Sequence, residues 1–282
     1  MSEPFDFAGS RLLTILAHPD DEAFGASGSF AILTDAGAGV TLVCATRGEV
    51  GEISDPALAT PENLGAVREQ ELFTATSHVG VTDVRFLDYR DSGMDGTEEN
   101  QDPRAFVNAG PLAIAARIRA IIDEIRPDAI LTFGPDGIYG HPDHLMAGRA
   151  TTAAVLTAAW QTPALYYAAM PRELFEEMAA REAGPFADMA PEIVAHMGTP
   201  SADIDVWVDV KPQIDRKFAC LMSHRTQMSP EGPMPDVPRD AFMAALSVET
   251  FLRIPLPWKT PVDGLLERLP TGPRTRTLAN KV

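Results

Sequence analysis

Between residue 11 and about residue 168, short apolar runs alternate with longer stretches of helical period. No other feature of the chain restricts its fold as much. Leu12-Leu13-Thr14-Ile15-Leu16, Val40-Thr41-Leu42-Val43-Cys44-Ala45, Val84 to Leu87, Ala129 to Phe133 and Ala164 to Ala168 have the length and composition of buried strands. Helical patterns occupy 23–37, 63–80, 111–126 and 145–160. The third of these carries Leu112, Ile114, Ile118, Ile121, Ile122 and Ile125 at helical spacing and stops at Pro127. Strands that alternate with helices predict an α/β fold: a Rossmann-like, mostly parallel sheet with helices on both faces. In such sheets ligands bind beyond the carboxyl ends of the strands, where the strand order reverses.

The rest of the chain is less regular. A helix is expected after 171, followed by irregular sequence to about 202. Ile204, Val206, Val208 and Val210 alternate as in a strand, and 211–224 and 239–249 read as helices. The segment 228–238 holds Pro230, Pro233, Pro235 and Pro238 and reads as a loop or lid. The tail from Pro255, rich in Pro, Arg and Thr, is expected either to wrap the surface or to be partly disordered. The expectation is one α/β domain over 1–282, with a Rossmann-like core at 11–168 and a substrate or lid region at 169–282; the length suffices for a sizeable core.

Two clusters follow predicted strands. Ala17-His18-Pro19-Asp20-Asp21-Glu22 comes directly after the first, and Tyr139-Gly140-His141-Pro142-Asp143-His144 comes shortly after the fourth. An imidazole and three carboxylates within five residues repel and are costly to bury unpaired. A divalent cation resolves the conflict. His18, Asp21 and His144 supply two imidazoles and one carboxylate, a common catalytic zinc set with a position left for water. Nitrogen-rich ligation favours a transition metal over Mg²⁺ or Ca²⁺. Asp20 then stays free to act as a base. The bland alternative is that Asp20 or Asp21 caps a helix.

Composition excludes several classes. With 23 basic and 40 acidic residues the formal charge is −17, which argues against a nucleic-acid partner. Cys44 and Cys220 form no CxxC, so a thiolate site or disulfide framework is not expected. No apolar run is long enough for a transmembrane segment, and the first residues lack the pattern of a signal peptide. A cytoplasmic protein is the expectation, and the sequence is compatible with a homo-oligomer.

The paired motifs resemble the signature of the N-acetylglucosaminyl-phosphatidylinositol de-N-acetylase superfamily, also called PIG-L or LmbE-like. Further matches are Thr46-Arg47-Gly48-Glu49, Arg68 with Glu71, Asp91-Ser92-Gly93-Met94 and Ser223-His224-Arg225-Thr226-Gln227. The resemblance implies a Rossmann-like fold and a Zn²⁺ enzyme that deacetylates a small-molecule N-acetylglucosaminide. It assigns the metal to His18, Asp21 and His144 and the base to Asp20. It gives His141, oriented by Asp143, a part in stabilising the transition state, and a carboxylate so near is expected to keep that imidazole charged. Tyr139 is implied to support the oxyanion, and Arg68 and Asp91 to hold sugar hydroxyls. Ala23-Phe24-Gly25-Ala26-Ser27-Gly28 resembles the general bacterial branch more than the mycothiol-pathway deacetylases.

Rival readings are an amidase of mycothiol-type S-conjugates and a metal-dependent phosphoesterase. The second would draw on Glu22, Asp136 and Arg47 for further ligands. A non-catalytic nucleotide-binding domain ranks low, because no GxGxxG follows the first strand. Arg68 could also form a surface ion pair with Glu71, Asp91 could be a turn residue, and Tyr139 could be loop packing. Glu22 is left with no firmer role than orienting His18 or capping a helix.

Overall fold

The computed structural model describes residues 5–180, 191–228 and 239–274. In chain order the elements are β1 (Arg11–Leu16), α1 (Asp21–Gly25), α2 (Ser27–Asp35), β2 (Gly39–Cys44), α3 (Leu64–His78), β3 (Asp83–Phe86), α4 (Pro111–Ile125), β4 (Ala129–Phe133) and a kinked turn, α5 (Gly137–Gly140). They continue with α6 (Pro142–Thr157), β5 (Leu165–Ala168), α7 (Arg172–Ala179), α8 (Pro191–Val194), β6 (Val206–Asp209), α9 (Ile214–Met222), α10 (Arg239–Leu246) and β7 (Val248–Ile254).

The strands form one sheet in the order β3-β2-β1-β4-β5-β7-β6. β1 pairs in parallel with β2 on one side and β4 on the other, so Leu12 lies beside both Val40 and Ala129. The chain moves outward from β1 to β3, then returns to β4 and moves the other way. The strand order therefore reverses between β1 and β4. Right-handed crossovers place α2 and α3 on one face and α4 and α6 on the other. In keeping with this, α9 packs on α2 and α3, while α6 packs on α4. Leu12 to Leu16, Val40 to Cys44 and Ala129 to Phe133 are buried at every position. That explains their continuous apolar character, because both faces of these strands are covered.

Three features differ from the sequence expectation. The helix expected over 23–37 is broken at Ala26, at φ −149° and ψ 2°. The Glu249 carboxylate accepts the N–H groups of Gly28 and Ser29, each at 2.8 Å, and so caps the N-terminus of α2, which starts afresh at Ser27. The buried Lys217 ammonium pairs with the same carboxylate. Second, the helix expected to 249 ends at Leu246, and β7 follows, antiparallel to both β5 and β6. Glu249 and Arg253 within that strand mask its apolar period; Lys217 neutralises the first and Glu267 the second. Third, β6 and β7 join the N-terminal sheet, so the sheet runs across the 168/169 boundary.

The tail runs along β6: Asp209 donates to the Pro270 carbonyl and Gly272 to that of Trp207. The expected lid at 228–238 lies outside the described residues, Met228 excepted. Among the described residues no helix is long and apolar enough to cross a membrane.

Candidate metal-binding active site

The site forms where the strand order reverses. His18, Asp20 and Asp21 leave the end of β1, and the 137–144 segment follows β4, so the adjacency of these two strands brings together motifs about 120 residues apart. The segment 88–109 closes over them. Ser92 N–H donates to Asp143 Oδ2 at 3.1 Å and Val107 N–H to Ser92 Oγ at 3.0 Å.

Asp20 and Asp21 do not cap α1 through their side chains. Asp20 makes no capping bond, and Asp21 Oδ2 reaches back to the N–H groups of Ala17 and His18, at 3.2 and 2.8 Å. This fixes the Asp21 carboxylate between two imidazoles. Its Oδ1 lies 3.2 Å from His144 Nε2, and its Oδ2 lies 3.8 Å from His18 Nδ1.

The other nitrogen of each ring is engaged. His144 Nδ1 lies 3.1 Å from the Gly137 carbonyl, a contact only an Nδ1–H can satisfy, so in the neutral ring Nε2 carries a lone pair. That Nε2 is buried without a hydrogen bond. His18 Nε2 lies 3.2 Å from Asp143 Oδ2 and 3.6 Å from Asp91 Oδ1. In both rings the nitrogen turned away from Asp21 thus meets an acceptor, the kind of arrangement that orients histidines toward a metal. Among the described residues, two overlapping groups have ligand atoms close enough to hold an ion, His18 with His141 and His144, and His18 with Asp91 and Asp143; the triad His18, Asp21 and His144 expected from sequence is not one of them.

Burial opposes charge on all these groups, and their neighbours decide the outcome. Burial lowers His18, but Asp91 and Asp143 outweigh it and raise it well above its ordinary value. Burial would raise Asp21, yet His144 and His18 hold it well below the usual carboxylate range. Asp91 is likewise held down by His18 against its burial. For Asp20 burial wins: it rises to about 6, although the Arg68 guanidinium pulls against it. Tyr139 is pushed well above the usual phenol range by burial and by Asp21 and Asp20.

His141 departs from the expectation. Its Nδ1 accepts the backbone N–H of Asp143 at 3.1 Å and so caps α6. The Asp143 carboxylate points instead to His18 and Ser92. Burial, His18 and His144 push His141 down to about 4. His141 is therefore a neutral ring whose remaining nitrogen carries the proton, and Asp143 does not keep it charged. Tyr139 stands beside these rings, 6.2 Å from His141 and 5.1 Å from His144 between centroids. Ile138, just before it, has φ 67°, rare for a β-branched residue.

Arg68 is not on the surface and does not bond Glu71. It is 3% exposed, and Nη2 donates to the Pro19 carbonyl and to Asp20 Oδ2 while Nη1 donates to the Gly48 carbonyl. Glu71 accepts from Thr226 N–H and Oγ1–H, at 2.8 and 2.6 Å. Asp91 does serve as a turn residue, accepting Gly93 N–H at 2.9 Å, and it also faces His18.

Two contributors lay in motifs read from sequence but were given no part in the site. Glu49 Oε2 accepts the N–H of Asp91 at 3.0 Å and steadies that loop. Glu22 and His224 form a fully buried pair at 2.6 Å. The Ser223–Gln227 motif held the signal for the second, but nothing in the linear sequence says that it reaches α1. Asp20 itself has φ 109° and ψ −27°, a conformation costing an Asp on the order of 1–3 kcal/mol.

Residues 13–155 match the family described as GlcNAc-PI de-N-acetylase, PIG-L. A 1D-myo-inositol 2-acetamido-2-deoxy-alpha-D-glucopyranoside deacetylase of Acidothermus cellulolyticus is 38% identical over 255 residues, covering 86% of this chain and 87% of its own. This similarity lies with GlcNAc-inositol deacetylases rather than with the general bacterial branch expected from Ala23–Gly28. Among solved structures, the N,N'-diacetylchitobiose deacetylase of Pyrococcus horikoshii superposes with a TM-score of 0.62 at 19% identity, covering 90% of this chain and 87% of that one. GalB of Pseudomonas putida, a 4-carboxy-2-hydroxymuconate hydratase, superposes at 0.57 and 17% identity, covering 90% and 100%. The fold thus carries more than one reaction, and the sequence match separates them. The motifs after β1 and β4 and the likeness along most of the chain lead to one assignment: this chain belongs to the PIG-L family of GlcNAc-PI de-N-acetylases.

Proposed function

We propose that the chain is a zinc-dependent hydrolase that removes the acetyl group from an N-acetylglucosamine-containing small molecule or glycoconjugate. The relatives named as deacetylases support the substrate class. One observation supports the metal above the others: His144 Nε2, buried and unbonded, stands 3.2 Å from Asp21 Oδ1. Two electron-rich atoms at that distance, away from water, are stabilised by a shared cation. His18 through Nδ1, Asp21 and His144 through Nε2 would hold it, a donor set that suits zinc. When bound, such an ion supplies Lewis acidity, making a water acidic near neutral pH and polarising an acyl oxygen.

The chain's own residues supply the remainder. Asp20 accepts the proton of the attacking water and returns it to the departing amine. A carboxyl raised to about 6 can do both near neutral pH, and Arg68, 3.1 Å away, holds its Oδ2 in place. His141 and Tyr139 keep their protons and donate to the oxygen on which negative charge develops. As a neutral donor, His141 acts without the charge expected from sequence. Asp143 orients His18, and Asp91 fills out the polar wall beside it.

The phosphoesterase reading loses its supports. Arg47 pairs with Glu69 and Asp88, Asp136 accepts Ile138 N–H, and Glu22 is committed to His224. The S-conjugate amidase shares this chemistry and differs in substrate alone. The test is incubation of metal-loaded protein with N-acetylglucosaminides bearing inositol, malate and lipid aglycones and with S-conjugates, while free amine and acetate are measured. Equal release of both from a glucosaminide is expected. Phosphate release from a phosphoester with no amine from any member would overturn the reading.

A further inference from the structure

We infer that Glu22 and His224 act as a positioning pair for Asp20, fixing the backbone that aims its carboxylate. The inference rests on the proposed role of Asp20 as the base. The peptide group joining Pro19 to Asp20 is gripped at both ends. Its carbonyl accepts from Arg68 Nη2, and its N–H donates to Glu22 Oε2 at 3.0 Å. The orientation of this peptide sets φ of Asp20, which lies at 109°, where an Asp does not rest unaided.

Glu22 can hold that amide only if its own carboxylate is fixed. His224 does this, with Nε2 2.6 Å from Glu22 Oε1, and Cys220 Sγ lies 3.7 Å from the same oxygen. Both Glu22 and His224 are fully buried, so water cannot replace either partner. His224 lies just beyond α9, outside the 13–155 stretch that matches the family. The C-terminal region thus reaches Glu22 through His224 and Cys220, and Glu22 in turn meets Asp20 at the backbone amide.

The test combines His224→Ala, His224→Gln and Glu22→Gln with Asp20→Asn. His224→Ala is expected to lower kcat about 100-fold, the scale of a displacement of roughly 1 Å in a catalytic group. KM and metal content should stay at wild-type values. His224→Gln, whose amide still donates to Glu22, should recover most of the loss. In an Asp20→Asn background, His224→Ala should cost little more, because both changes remove one function. Equal losses in the two backgrounds, or a fall in metal content in place of kcat, would overturn the inference. Should His224→Ala fail to fold, Glu22→Gln decides. It keeps an acceptor for the Asp20 N–H but weakens the bond from His224, so a partial loss of kcat is expected, and wild-type kcat refutes the inference.

A second readout needs no activity. In metal-free crystals of His224→Gln, φ of Asp20 should remain near its present value, whereas in His224→Ala or Glu22→Ala it should relax to negative φ. An unchanged φ in both disrupting variants refutes the pair's role even if the deacetylase reading stands. Absence of amine release from every glucosaminide defeats that reading and leaves the crystallographic test intact.

Discussion

Asp21 Oδ1 and His144 Nε2 face each other across 3.2 Å beyond the ends of the paired strands β1 and β4. The Gly137 carbonyl accepts from the imidazole on its far side, so in the neutral ring the nitrogen facing Asp21 carries a lone pair. Metal binding and stability should therefore be coupled. Purified protein should carry about one zinc per chain by elemental analysis on the three-ligand arrangement. Chelation should lower the thermal midpoint and zinc should restore it. His144→Ala should abolish both the stoichiometric metal and the zinc-dependent shift.

Asp20 Oδ2 pairs with Arg68 Nη2 at 3.1 Å. Asp20→Asn should keep the metal and lower kcat by roughly 10²- to 10⁴-fold, the usual scale for removing a general base. Elemental analysis beside steady-state kinetics checks this. Wild-type kcat in that variant would remove Asp20 from the proton transfer.

Asp143 hydrogen-bonds His18, although its place two residues after His141 suggested otherwise. Asp143→Asn should weaken zinc binding by about 10- to 100-fold, as loss of a carboxylate behind a ligating histidine does. Competition with a chelating dye measures this. Unchanged affinity with altered pH dependence of turnover would restore the His141 assignment.

His224 is lowered by its burial and raised by the Glu22 carboxylate, with a net rise above its ordinary value. A histidine raised on folding contributes stability that is complete below its unfolded pKa, about 6.5. That contribution fades as pH rises through the higher folded value. Unfolding free energy from urea titrations should therefore decline above about pH 6.5. The decline should be shallower in His224→Gln, which does not titrate. Equal slopes in both proteins would show that the pair holds no extra proton.

The alternation of apolar runs and helical periods determined the doubly wound sheet, because strands buried on both faces must be continuously apolar. Two His-Pro-Asp motifs placed after strands determined which residues meet, since parallel strands bring their carboxyl ends to one edge. Tertiary structure alone decided the pairings. Asp143 turned to His18 because the Nδ1 of His141 was taken by the first turn of α6. Arg68 turned inward because the Pro19 carbonyl needed a donor. Glu249 is tolerated in a buried strand because Lys217, 32 positions earlier, pairs with it. Local sequence specifies periodicity and motif. Which buried charge meets which partner depends on contacts between segments far apart in the chain, and the linear order of residues does not encode those distances.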